Sequence, residues 1–183
     1  MMKIISLILF FLLSFSLNAK AGTVTGLEIP RFVSLKSNEV NLRVGPSTNY
    51  PIELIYVTKN LPLEIIDEFD VWRKTKDHMG VIGWLHKSLI QGERFVLTGY
   101  SNDKDVDLYN RPNGSIIGAI KKNNILDLKR CVLYWCKLSH ENINGWVLKR
   151  NIWGIYKTET YNNKFYQPIL NQYWKVLNSK LFN

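Results

Sequence analysis

Cysteine is scarce in this 183-residue chain, with two in all, and histidine is little commoner, with three. His78, His86 and His140 stand apart, and neither His-x-x-x-His nor Cys-x-x-Cys spacing occurs, so no metal site is indicated. There is no Gly-x-Ser-x-Gly elbow, no P-loop and no dinucleotide fingerprint. That removes the motif-bearing hydrolase, nucleotide and nicotinamide chemistries and leaves no cofactor to expect. Acidic residues are the minority charge, 15 against 24 basic, for a formal net charge of +9. Basic charge with many aromatics suits nucleic-acid binding. Here the positive charges are scattered, without a long run of one sign, and an export signal argues against a nucleic-acid partner. Scattered charge fits an ordinary solvated surface, or attraction to anionic polymers and lipid headgroups. Asp67-Glu68 and the alternating Asp103, Asp105 and Asp107 read as solvated turns or strand edges. The second group lacks the glycine and distal glutamate of an EF-hand loop.

The export signal is at the start. Lys3 precedes an apolar run from Ile4 to Leu17, and Ala19-Lys20-Ala21 before Gly22 fits a small-x-small cleavage site. This is the pattern of a secretory signal peptide over 1–21. The rival is an uncleaved anchor, which needs about 20 apolar residues; this run is shorter. No cysteine sits at the cleavage point, which argues against a lipoprotein.

After a polar lead-in to Pro30, the chain reads as short strands broken by turns. The expected strands are 31–35, 40–44, 52–57, 63–69, 71–76 and 81–85, with a 3₁₀ turn over 86–90. Asp70 marks a tight turn, and the Ile65-Ile66 pair interrupts the alternation of its strand. No helical period appears across this stretch, so a small all-β barrel or sandwich is expected.

The pattern then recurs. Gly83-Trp84-Leu85-His86-Lys87-Ser88-Leu89-Ile90-Gln91-Gly92 aligns without gaps to Gly145-Trp146-Val147-Leu148-Lys149-Arg150-Asn151-Ile152-Trp153-Gly154. Trp72 and Trp135 precede these by similar distances, and Val106 to Pro112 stands where Val40 to Pro46 stood. Two tandem units, 31–97 and a degenerate 98–156, are expected. Units this small bury little surface, so Trp72 with Trp84, and Trp135 with Trp146, are expected to supply much of each core. A glycine before each second tryptophan lets another backbone or ring approach, and the two units are expected to pack together.

Asn41-Leu42-Arg43-Val44-Gly45-Pro46-Ser47, with Gly83-Trp84 closing the same unit, resembles the motifs of bacterial SH3 (SH3b) domains. The resemblance covers most of 31–156 and weakens in the second half, where the opening motif has become Asp107-Leu108-Tyr109-Asn110-Arg111-Pro112. It implies two tandem small SH3-like barrels acting as binding modules. Many such modules stand beside peptidoglycan hydrolases and contact cell-wall peptides. The implied protein is non-catalytic and exported, periplasmic or envelope-associated, with peptidoglycan or an envelope protein as partner. Asn41, Arg43, Tyr50 and Trp72 are the candidate ligand-binding residues; for Arg43 and Trp72 a purely structural role is the alternative.

Cys131 and Cys136 flank Val-Leu-Tyr-Trp, a length that closes a hairpin end, and export favours a disulfide between them. The rival is a catalytic thiolate, which needs a base; His140 is the only candidate in that half. From Tyr161 the apolar residues Phe165, Ile169, Leu170, Tyr173, Trp174, Leu177 and Leu181 recur at helical spacing. A C-terminal amphipathic α-helix within 161–183 is expected. It either docks on the second unit or meets a partner or a membrane surface, the latter making the chain a subunit of an envelope complex.

Overall fold

A computed structural model describes residues 20–100 and 104–162. The expected signal peptide, save its last two residues, and the expected helix 165–181 lie outside the described residues. The strands of the first half are β1 (Lys20–Ala21), β2 (Glu28–Ile29), β3 (Arg31–Leu35), β4 (Val40–Arg43), β5 (Ile52–Tyr56), β6 (Pro62–Phe69), β7 (Trp72–Lys76), β8 (Ile82–His86) and β9 (Ile90–Gln91). Those of the second are β10 (Phe95–Thr98), β11 (Val106–Tyr109), β12 (Ile116–Ile120), β13 (Ile125–Cys131), β14 (Trp135–His140), β15 (Ile143–Leu148) and β16 (Ile152–Trp153). A 3₁₀ turn precedes the last strand of each half, at Lys87–Leu89 and Lys149–Asn151.

β1 and β2 form a small hairpin. The rest make two separate seven-stranded sheets, ordered β5-β4-β8-β7-β6-β3-β9 and β12-β11-β15-β14-β13-β10-β16. The second order is the first with each strand replaced by its counterpart, so the sequence repeat is a repeat of topology. β10 begins at Phe95, so residues 95–97 pair within the second sheet. β3 and β4, each next to an end strand of the first sheet, place Leu35, Val40 and Leu42 in one core with Leu63, Ile65 and Leu85. The sheet therefore curls around a single centre. The second sheet does the same around Val96, Leu108, Leu126, Leu138 and Val147.

The tryptophans do not form these centres, contrary to the expectation from their spacing. Neither core contains a tryptophan: the first is aliphatic apart from Tyr56, and the second apart from Cys131 and Cys136. Alternation explains it: on β8 the buried positions are Gly83 and Leu85, and on β15 they are Gly145 and Val147, so Trp84 and Trp146 face outward and are only half-buried. Trp72 and Trp135 are buried, but on that same outer side of the sheet, where Trp72 packs edge-on to His86 and Trp135 edge-on to Tyr109. The turn residues behave as read: Asp70 has φ 47°, and the β6–β7 register shifts between Ile65 and Asp67.

Glu68 corrects the surface reading of the Asp67-Glu68 pair. Its side chain is 0% exposed. Arg31 reaches it at 2.6 Å and Arg73, its cross-strand partner on β7, at 3.6 Å. The lead-in folds back over the carboxylate: the Val24 and Thr25 amides donate to Oε2 at 3.3 and 3.0 Å, and the Thr25 hydroxyl lies 2.8 Å from Oε1. Asp67, Asp105 and Asp107 are exposed or half-exposed, as expected.

An aromatic seam joins the two sheets. Phe32 of β3 meets Trp153 edge-on at 5.2 Å and Tyr156 at 4.7 Å. Trp153 Nε1 donates to the Pro62 carbonyl at 3.2 Å, and the Tyr156 hydroxyl to Glu64 Oε1 at 2.9 Å. Burial, then the Glu64 charge, pushes the Tyr156 hydroxyl up, so it remains a donor. The Arg94 guanidinium lies between the Phe32 and Tyr161 rings, 5.7 and 5.5 Å from their centres. Two small cores thereby share one buried boundary.

Cys131 and Cys136 are directly opposed across the β13–β14 hairpin and joined as a disulfide, so neither is a free thiol. Cys131 also exchanges both backbone hydrogen bonds with Tyr161, fixing the tail to the hairpin. Lys149 fixes it from the other side through carbonyls on hairpin and tail; burial lowers its ammonium to about 8, with the Glu159 charge opposing. Replacing both cysteines by alanine is expected to lower the unfolding free energy by about 2 kcal/mol, the chain-entropy value for so short a loop. Urea denaturation of the two forms measures it.

Candidate functional site

The opening motif builds an outward face. On β4, Val40 and Leu42 enter the core while Asn41 and Arg43 point outward. Arg43 lies across from Trp84 on β8, and Trp84 across from Lys74 on β7. The Lys74 ammonium is 5.9 Å from the Trp84 ring centre, within cation–π range. One step along the strands, Trp72 opposes His86, their rings edge-on at 5.6 Å. Asn41 and His86 each lie two residues from the Arg43–Trp84 pair, toward the same end of the sheet. No outward position on β4, β8 or β7 is acidic. Ile52 and Ile55, both exposed on edge strand β5, continue the face with apolar surface.

The Gly45-Pro46-Ser47 loop places Tyr50 beside this face. Tyr50 lies over Gly45 so closely that a Cβ there would sit 2.6 Å from the ring atoms Cγ and Cδ1. Only glycine admits the ring. The Arg43 guanidinium donates to the Tyr50 carbonyl at 2.7 Å, and the Tyr50 amide to the Ser47 carbonyl at 3.2 Å. Arg43 thus ties the loop down while remaining half-exposed. Tyr50 is 46% exposed and available for contact.

Of the four residues singled out from sequence, Asn41, Arg43 and Trp72 share the outer face and Tyr50 borders it. Trp72, at 9% exposure, can offer a ligand no more than an edge. Trp84, Lys74 and His86 belong to the same face and were missed. The signal was present in the alternation Gly83-Trp84-Leu85, which puts Trp84 on the side of Arg43 once the two strands pair. The second sheet repeats the frame with Lys137 in the place of Lys74 and Tyr109 in the place of Arg43: both stand across from Trp146, and Tyr109 closes edge-on against Trp135 at 4.8 Å.

Residues 36–92, which span these strands and the loop, match the family described as the bacterial SH3 domain. The matched segment covers β4 to β9 of the first sheet and leaves out β3. The match ends before β10, so the second sheet shares its strand order with the first and lies outside the matched segment. No curated protein matches the chain. Among solved structures, it is similar to NlpC2 from Trichomonas vaginalis at 12% identity and a TM-score of 0.31, over 73% of this chain and 51% of that one. It is similar to the endolysin LysPBC5 CBD at 16% identity and a TM-score of 0.29, over 66% of this chain and 90% of that one. NlpC1 from Trichomonas vaginalis gives 12% and 0.29, over 75% and 49%. The chain spans about half the length of the two NlpC proteins. Superpositions this weak carry no weight about function.

Proposed function

We propose that this protein is an exported, non-catalytic binding module of the cell envelope, taking peptidoglycan peptides on the outer face of its SH3 domain. One observation supports the reading above others: Arg43 and Trp84 of the motif, with Lys74 and Tyr50 beside them, shape a face of rings and cations whose only acidic cross-strand neighbour among the described residues is Asp67 of β6, opposite Lys74. Indole and phenol rings give rigid contact area, and the cations suit the carboxylates of an extended peptide. The two cysteines are joined as a disulfide and serve no thiolate chemistry. The first sheet then acts as a reader and the second, which takes in residues 95–97, as a support, with the seam around Phe32 holding them together.

Co-sedimentation with purified peptidoglycan tests the reading. Tyr50→Ala and Trp84→Ala are expected to weaken binding by about tenfold each, as for aromatic anchors of small interfaces. Lys121→Ala, on the exposed edge of the second sheet, is expected to leave it unchanged. Unaltered sedimentation of both aromatic variants would remove this face as the site. An envelope scaffold working through 161–183 is the competing reading. It predicts that removal of 163–183 abolishes partner capture while peptidoglycan binding survives.

A further inference from the structure

The second sheet holds a cavity of about 270 Å³ lined by Leu133, Tyr134, Leu148, Lys149, Arg150 and Lys157. Three segments meet there: the tip of the disulfide hairpin, the end of β15 with its 3₁₀ turn, and the tail that follows β16. Lys149 fastens them. Its Nζ donates to the carbonyls of Leu133 at 2.9 Å, Lys157 at 3.2 Å and Glu159 at 2.7 Å, and its backbone N–H to Tyr134 at 2.9 Å. An ammonium has three N–H donors, and all three are engaged. Lys149 therefore holds the walls and offers a ligand no hydrogen bond. Its counterpart in the repeat, Lys87, is exposed, so this clamp belongs to the second half alone.

The rim has the opposite character. Arg150 and Lys157 are exposed, and among the described residues no acidic side chain lines the cavity. Glu159, on the adjoining tail, is turned away to Arg94 at 2.7 Å and to the Tyr156 amide at 3.1 Å. Leu133, Tyr134 and Leu148 supply an apolar wall. Two exposed cations over low-dielectric walls concentrate positive potential in the opening. The volume lies below that of a drug-sized pocket and suits a small acid or one end of a peptide.

We propose that this cavity is a second ligand site, which takes a carboxylate carried on a short apolar body. The carboxylate sits between Arg150 and Lys157, where a guanidinium can bind it with two parallel hydrogen bonds. The apolar body lies against Leu133, Tyr134 and Leu148. The site is independent of the SH3 face and of what that face binds.

The test is an NMR titration of the whole protein with phenylpropionate and with phenylpropylamine, which share ring and chain and differ in charge. Phenylpropionate is expected to shift the Leu133 and Leu148 methyl signals saturably, and the amine to leave them in place. Arg150→Glu and Lys157→Glu alter exposed side chains only; near-ultraviolet circular dichroism verifies their fold. Each is expected to weaken the acid at least about tenfold, with Arg150→Gln intermediate. Equal saturation by the amine, no saturation by the acid, or full affinity in the two charge reversals would overturn the proposal. Inorganic phosphate matching the acid would overturn it too, because the apolar wall would then contribute nothing.

Discussion

Glu68→Gln is expected to lower the unfolding free energy by roughly 3–5 kcal/mol, the range for removing one partner of a buried ion pair. Gln keeps the size of the side chain and removes its charge. Arg73, 5% exposed, would then be left in the protein interior without its anion. Arg31, at 20% side-chain exposure, can turn to water, which places the loss toward the lower end. The amides of Val24 and Thr25 would face a weaker acceptor, so the lead-in should loosen first. Amide exchange at Thr25 reports that step, and urea denaturation the total. The same group sets an acid limit. Burial raises the Glu68 carboxyl, but the hydrogen bonds from Arg31 and Thr25 and the Arg31 charge outweigh it and hold the carboxyl at about 2, against 4.5 when free. A depressed carboxyl stabilises the fold fully above its unfolded value, and this contribution disappears as pH falls through the folded one. Wild-type stability should therefore drop between about pH 4.5 and 2, and the Gln variant should lack that part of the drop. Equal acid profiles for the two proteins would show that Glu68 is not the group responsible.

Gly83→Ala is expected to cost about 3 kcal/mol, the upper end for overpacking a filled core. A Cβ at Gly83 would lie 2.5 Å from Leu42 Cγ and 2.9 Å from the Arg43 carbonyl oxygen. Leu42 is fully buried, and the carbonyl belongs to the strand that aligns Arg43 with Trp84. Relief by backbone movement would separate those two side chains, so binding at the SH3 face should fall along with the melting temperature. Gly145→Ala is the matched case, with a Cβ 2.6 Å from Leu108 Cδ1 and 2.9 Å from the Tyr109 oxygen. It should destabilise the second sheet and leave the first face intact. Gly118→Ala, with nothing within 4 Å of the added carbon, is expected to melt as wild type. A Gly83 variant melting like the Gly118 variant would refute the close approach.

The Gly-Trp pair illustrates how much of the site was legible. Sequence pointed to a close approach at the glycine, and what approaches is a leucine and a carbonyl from the opening motif. It also put the following indole in the core, because spacing alone does not say which side of a sheet a residue faces. Arg43 and Tyr50 were legible as a motif; that Arg43 secures the loop carbonyl required the folded loop.

The chain's local chemistry was enough for strand after strand, the Asp70 turn, the disulfide hairpin and the doubling of the pattern, since alternation and turn residues act over a few positions. Contacts between distant segments decided the rest. Glu68 is buried because Arg31, Arg73 and residues 24–25 arrive from elsewhere in the chain, and Lys149 is a clamp because a hairpin and a tail present carbonyls to it. A charge is buried or solvated according to what folding brings beside it, and no short stretch of sequence contains that information.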